Sequence, residues 1–235
     1  TTLIAVSLFF AGMGLFDAVA HAMTTASTGG FSTRDLSIGH WNSVSIEVVI
    51  MIGLLLGATN FTLHARFLDR RSSAYRQDSE FKSFIMLLMA GICLITVLLA
   101  IEGEAISSAL RAASFNVITL GSSGGFGNAV GSGSSGDFVS WTASAQLVLL
   151  FFLIFGDCTG STAGGVKIMR LRIGLAHTYR TLRSVRRPRA LLQARMGSNT
   201  IPDTLVERVA GFVVVYGILV VIGTFILTAL GSDLI

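Results

Sequence analysis

The chain lacks the charge that a soluble protein spends on its surface. Of its 235 residues only 13% are charged, against roughly 25% in an ordinary soluble domain. Two cysteines, Cys93 and Cys158, are too few for a disulfide framework, and Cys93, set in an apolar run, reads as a small buried hydrophobe. Proline occurs only twice, well below its average share of about 5%. The four histidines, His21, His40, His64 and His177, show no paired metal-ligand spacing. No Ser/His/Asp grouping stands out, so nothing points to an enzyme. What is abundant is apolar, at 52% of residues, together with 26 glycines and a mean hydropathy of +0.73. That composition excludes disorder and implies an integral membrane protein.

A hydrocarbon layer about 30 Å thick needs roughly 20 helical residues to cross it. Four stretches meet or approach that length: 44–64, 83–101, 138–156 and 209–230. The apolar opening, residues 1–14, reads as the end of a helix that begins before residue 1, and the far end stops just past a span, at Gly231-Ser232-Asp233. The chain is thus expected to be a piece of a larger protein. Fifteen of the 17 basic residues fall in two segments or beside them, between Arg66 and Lys82 and between Lys167 and Arg208. By the positive-inside rule both segments face the cytoplasm. Spans 44–64 and 138–156 then run inward, 83–101 and 209–230 outward, and 102–137 lies outside with Glu102, Glu104 and Asp137. The net charge of +4 is therefore a topology signal rather than a nucleic-acid patch. The stretch from Lys167 to Arg195 also suits anionic lipid headgroups at the inner leaflet.

The sequence repeats itself at an offset of 95. Residues 21–32 (HAMTTASTGGFS) laid over 116–127 (NVITLGSSGGFG) give five identities in twelve, Thr24, Ser27, Gly29, Gly30 and Phe31 meeting Thr119, Ser122, Gly124, Gly125 and Phe126. Thr28 against Ser123 keeps a hydroxyl. Each copy follows a short, moderately apolar helical segment, about 16–25 and 106–120, and precedes a full span. Long internal periods mark folds built from copies of one unit, as in many transporters.

Half-helices this short cannot cross the bilayer and must return, and irregular backbone at membrane depth is tolerated only against protein or water. The glycines let carbonyls turn toward an axis, and the hydroxyls add oxygens. The half-helix aims its partly negative C-terminal end at the same place, favouring a cation, in the manner of a carbonyl filter. The competing reading is that Gly-Gly-Phe only permits close helix packing or an ordinary turn. A second glycine-rich segment, 156–165 (GDCTGSTAGG), places four glycines among hydroxyl and carboxyl side chains after an apolar run. It predicts a helix broken at membrane depth, obstructing the path beneath the loops. Two nucleotide-binding patterns fail on context: the G-x-G-x-x-G at 131–136 follows no strand and reads as an outer loop, and 160–167 lacks the Gly-Lys-Ser/Thr of a P-loop.

The runs FDAVAHAMTTASTGGFSTRD, FGDCTGSTAGGVKIMR and IPDTLVERVAGF resemble, in order, the TrkH/TrkG branch of the Trk/Ktr/HKT potassium transporters. The resemblance implies an all-α integral membrane fold of repeated span–pore helix–filter loop–span units in the cytoplasmic (inner) membrane, with K⁺ as transported ion and no cofactor. It assigns 1–68 to the second repeat, 69–82 to a cytoplasmic linker and 83–180 to a complete third repeat. A basic linker, 181–205, and the fourth repeat's first span, 206–235, follow. It implies a K⁺ filter at Thr28, Gly29, Gly30, Phe31, Ser123, Gly124, Gly125 and Phe126, with K⁺ held by loop carbonyls. It implies a gating loop at Asp157, Gly160, Ser161, Thr162, Gly164, Gly165 and Lys167. Partners implied are membrane lipid, a second copy of the chain in a homodimer, and a cytosolic TrkA-type nucleotide-binding regulatory subunit, with no nucleic acid. Two departures stand out. The third-repeat loop reads Ser-Ser-Gly-Gly-Phe where relatives often have Thr-Thr-Ala-Gly-Phe, and Asp157 stands where Gly is common. Asp157 either attracts K⁺, pairs with Lys167 or Arg170, or caps a helix. The alternative to a conducting pore is a non-conducting membrane interaction subunit or an incomplete fragment of such a transporter.

Overall fold

The computed structural model describes residues 1–69, 73–186, 195–196, 199–200 and 202–231. Arg70, Arg71, Arg187 and Arg189 of the basic segments, and Ser232 and Asp233 of the expected helix exit, lie outside them. The chain divides into two compact units, residues 1–168 and 169–235.

In the first unit the helices are α1 (Thr2–Phe10), α2 (Leu15–Ala26), α3 (Val44–Ala58), α4 (Phe61–Leu68), α5 (Ala74–Gln77), α6 (Ser79–Ile101), α7 (Ile106–Gly121) and α8 (Ala143–Ile154). A 3-10 turn (Ser37–Trp41) precedes α3. The strands β1 (Phe155–Gly156) and β2 (Val166–Lys167) pair in parallel. In the second unit are α9 (Ile168–Arg186, from Met169 onward), the antiparallel pair β3 (Arg195–Met196) and β4 (Asn199–Thr200), and α10 (Asp203–Gly231). There Ile173, Val206 and Val209 form a small buried cluster, and the Arg170 guanidinium sits 3.9 Å above the Phe212 ring.

Among the described residues two helices are long and apolar enough to cross a membrane, Ser79–Ile101 and Thr204–Gly231, or three if α3 and α4 count as one bent span. The expected span 44–64 is therefore not one continuous helix: it turns by 98° between Ala58 and Phe61. Asn60 starts the new helix by accepting the Thr62 amide at 2.8 Å, as an N-cap does. The backbone groups freed at the break are taken up by the glycine-rich segment. Ala58 O accepts from Cys158 N at 2.9 Å, and Phe61 N donates to Gly160 O at 3.1 Å. The expected span 138–156 is likewise shorter, because α8 has 12 residues, about 18 Å of helix. Its apolar sequence continues into β1, where the helix gives way to the loop 157–165.

The long helix α6 begins at Asp78, whose carboxylate accepts the Phe81 amide at 2.7 Å. Its glycine face packs closely, since a Cβ on Gly91 would overlap the Phe152 ring of α8. The core runs through Leu8, Ile50, Leu54, Phe84, Ile95, Phe115 and Phe126, each 1% exposed or less. Cys93 faces outward from α6, and Cys158 is the buried one. An apolar run in a membrane helix has a lipid face as well as a core face, so the hydrophobicity around Cys93 did not decide which it took.

Candidate functional site

The half-helices α2 and α7 each end in a loop, and the two loops have the same conformation. Thr28 and Ser123 adopt positive φ, at 52° and 54°, as do Gly30 and Gly125, at 68° and 75°. The Gly29 amide donates to Thr24 O at 2.7 Å, and the Gly124 amide donates to Thr119 O at 2.6 Å. Ser27 and Ser122 donate their hydroxyls to the same two carbonyls, at 3.3 and 3.2 Å. The offset of 95 read in the sequence is thus an offset in backbone geometry and hydrogen bonding. In each loop an L-residue holds the left-handed region that glycine occupies at lower cost.

The two loops touch. A Cβ on Gly30 would overlap the Gly124 carbonyl, so glycine is needed there, and one on Gly124 would press on the Leu54 side chain at 2.7 Å. The copies differ in their phenylalanines. Phe126 is buried and stacks on His21, with ring centroids 6.1 Å apart, whereas Phe31 is 78% exposed. Phe126 N is held by Thr119 Oγ1 at 2.8 Å.

The loop 157–165 meets the ends of both half-helices. Thr162 Oγ1 lies 3.3 Å from Ala26 O at the end of α2 and 3.0 Å from Gly57 O. Gly156 lies against the Gly121 backbone at the end of α7. Ser123 donates its hydroxyl to Asp157 Oδ2 at 3.1 Å. Asp157 is 1% exposed, has φ of 63°, and its Oδ1 has no hydrogen-bond partner among the described residues. It follows β1, and its carbonyl accepts the amide of Ile168, the first residue of α9, at 3.0 Å. Lys167 donates to Ser161 Oγ at 3.1 Å and to Ala163 O. Glu80, at the start of α6, accepts from the Thr159 amide and hydroxyl at 2.8 and 2.9 Å. Gly160 and Gly165 turn the segment with positive φ, and Gly164 sits under the Ser123 hydroxyl, with a Cβ 3.8 Å away.

The contacts sort the first unit into two ends. At one, Glu80, Ala58 and Phe61 hold the loop 157–165. At the other, Glu104 accepts from Ser135 at 2.8 Å and Glu102 from Thr142 at 2.6 Å. The second end carries a cluster that sequence reasoning missed. Glu47, 1% exposed, takes a two-pronged ion pair from Arg111 at 2.9 Å on each oxygen. Arg111 also reaches Asn42 at 3.0 Å. Arg111 and Asn42, with Asn128 and Gly136, line a pocket of about 190 Å³. An acid in the first turn of a span and an arginine in a half-helix were each visible, but their pairing crosses 64 residues and follows from the fold. Nearby, the Thr33 hydroxyl and then the Arg34 guanidinium hold the Asp17 carboxyl below its ordinary range.

Comparison with known proteins shows the family and the fold. The family model TrkH, described as a cation transport protein, matches residues 3–234. The Trk system potassium uptake protein TrkH of Escherichia coli K12 is 32% identical over 237 residues, covering 99% of this chain and 47% of that protein. TrkG of the same organism is 31% identical over 231 residues, with 95% and 45% covered. The crystal structure of the potassium transporter TrkH from Vibrio parahaemolyticus superposes with a TM-score of 0.88 at 30% identity, covering 98% of this chain and 49% of that one. The chain thus spans about half the length of the relatives it matches. With the family model matched along almost its whole length and the fold shared, the chain belongs to the TrkH family of cation transport proteins, multi-pass proteins of the inner membrane.

Proposed function

We propose that this chain forms part of a K⁺ uptake pore in the cytoplasmic membrane and supplies two of its filter loops. The observation that carries the reading is the pair of loops after α2 and α7, alike in φ and hydrogen bonding and in contact through Gly30 and Gly124. In this reading the carbonyls of Thr28, Gly29, Gly30 and Phe31 and of Ser123, Gly124, Gly125 and Phe126 replace water around dehydrated K⁺. The C-terminal ends of both half-helices point at the loops and favour a cation there. The relatives' names, potassium uptake proteins, support K⁺ as the ion.

The loop 157–165, with Gly160, Ser161, Thr162, Gly164, Gly165 and Lys167, acts as the gate in this reading, lying against the end of each half-helix. Residues 1–68 and 83–180 form successive repeats, with 69–82 and 181–205 as cytoplasmic linkers and 206–235 opening a further repeat. The same reading assigns membrane lipid, a second copy of the chain and a cytosolic TrkA-type subunit as partners.

Expression in bacteria that lack their own K⁺ uptake tests this. The full-length natural protein restores growth at low external K⁺, and its failure to do so removes the pore reading. Growth equal to that of empty cells, with the protein present in the membrane, would favour a non-conducting interaction subunit.

A further inference from the structure

We propose that Asp157 sets cation selectivity through Ser123, as a positioning residue that fixes which face of the Ser123 hydroxyl the permeating ion meets. The inference rests on the pore reading above and deepens it.

A hydroxyl ligates a cation through its lone pairs, so its proton must be committed elsewhere. In the first loop the structure does this locally: Thr28 donates its hydroxyl to Ser27 O at 2.7 Å. In the second loop the equivalent residue, Ser123, donates instead to Asp157 Oδ2 at 3.1 Å, a residue on a different element. The two hydroxyls stand at matching positions with matching φ, yet only one depends on the loop 157–165 for its orientation. At 3.1 Å against 2.7 Å the bond to Asp157 is the longer of the two, but it orients the Ser123 hydroxyl from a separate element, as an outer partner does for a metal ligand. Asp157 is 1% exposed and Ser123 is half-buried, so the acid is more enclosed than the serine it holds. Asp157 Oδ1 is buried without a hydrogen-bond partner among the described residues. Ser123 and Asp157 both occupy the left-handed region, where an L-residue is disfavoured, and their hydrogen bond is one gain that offsets this.

The test is the K⁺-over-Na⁺ flux ratio in liposomes containing the full-length natural protein. Wild type is compared with Ser123→Ala, Asp157→Gly, the double variant and Asp157→Asn. Glycine at 157 suits a φ of 63°, so that variant folds without added strain. Ser123→Ala and Asp157→Gly each lower the ratio about three- to tenfold, the range expected for one ordinary hydrogen bond. The double variant loses no more than either alone. Asp157→Asn keeps an acceptor and most of the ratio. An unchanged ratio with reduced total flux would assign Asp157 a purely structural role and overturn the inference, as would additive losses in the double variant. A wild type that carries no K⁺ overturns the pore reading itself, and the inference with it.

Discussion

Ser123 and Asp157 lie 34 positions apart and are joined by a hydrogen bond of 3.1 Å that ties one of two repeated loops to the glycine-rich break in the following span. The other loop reaches the same break through Thr162 and Ala26 O. A displacement of the loop 157–165 therefore disturbs contacts at both half-helix ends, which makes it a natural place to control what passes.

The two loop glycines respond differently to substitution. Gly30→Ala drives a methyl into the Gly124 carbonyl, so K⁺ uptake is lost and the protein melts at lower temperature. Gly125 has the same sign of φ but nothing within 4 Å of a Cβ, so Gly125→Ala costs only the backbone term, about 1–2 kcal/mol. Thermal melts of the two variants in detergent separate the cases, and equal destabilisation would contradict the close approach at Gly30.

Removing Arg111 leaves Glu47 buried without its main partner. The general cost of breaking such a pair is about 3–5 kcal/mol. Arg111 is a third exposed, at 34%, so solvent screens the pair and a cost below that range, about 2–3 kcal/mol, is expected for Arg111→Ala. The double variant Glu47→Gln, Arg111→Met recovers part of the loss. Denaturation of single and double variants checks this, and a double variant as unstable as the sum of both singles would contradict it.

Asp17 links stability to acid. Its carboxyl titrates below the ordinary 3.8 in the folded protein because Thr33 and then Arg34 favour the charged form. Its contribution is therefore fully present above that ordinary value and is lost as the pH falls through the lowered folded value. Asp17→Asn melts earlier than wild type at neutral pH, and the gap begins to close only as the pH falls below the ordinary 3.8. A gap that does not narrow at all as the pH falls below 3.8 would exclude the carboxylate as its cause.

Glu80 anchors the loop 157–165 through Thr159. Glu80→Ala frees that end of the loop and raises K⁺ flux by the full-length protein. Deleting part of 160–164 raises it further. Unchanged flux in both would remove the gating role from this segment.

Much of the architecture was legible in the chain because membrane helices are written as apolar runs of known length. The half-helices expected at 16–25 and 106–120 appear as Leu15–Ala26 and Ile106–Gly121, and the internal offset reappears as matched φ values at Thr28 and Ser123. Hydropathy does not register a bend, so the 98° turn after Ala58 was hidden. Its cause is the cap at Asn60 and partners contributed by Cys158 and Gly160, a hundred residues away. The pairings Ser123–Asp157 and Glu47–Arg111 were hidden for the same reason, since each is made by tertiary packing. Phe31 and Phe126 share a motif, yet their burial differs because only Phe126 has His21 beside it.

The pore reading meets its most direct test in K⁺ flux into liposomes containing the full-length natural protein, with Na⁺ as competitor, for wild type and Gly30→Ala. A filter built on these two loops predicts K⁺-selective flux in wild type and loss of both flux and selectivity in the variant. Equal flux with equal selectivity in the two proteins would contradict it.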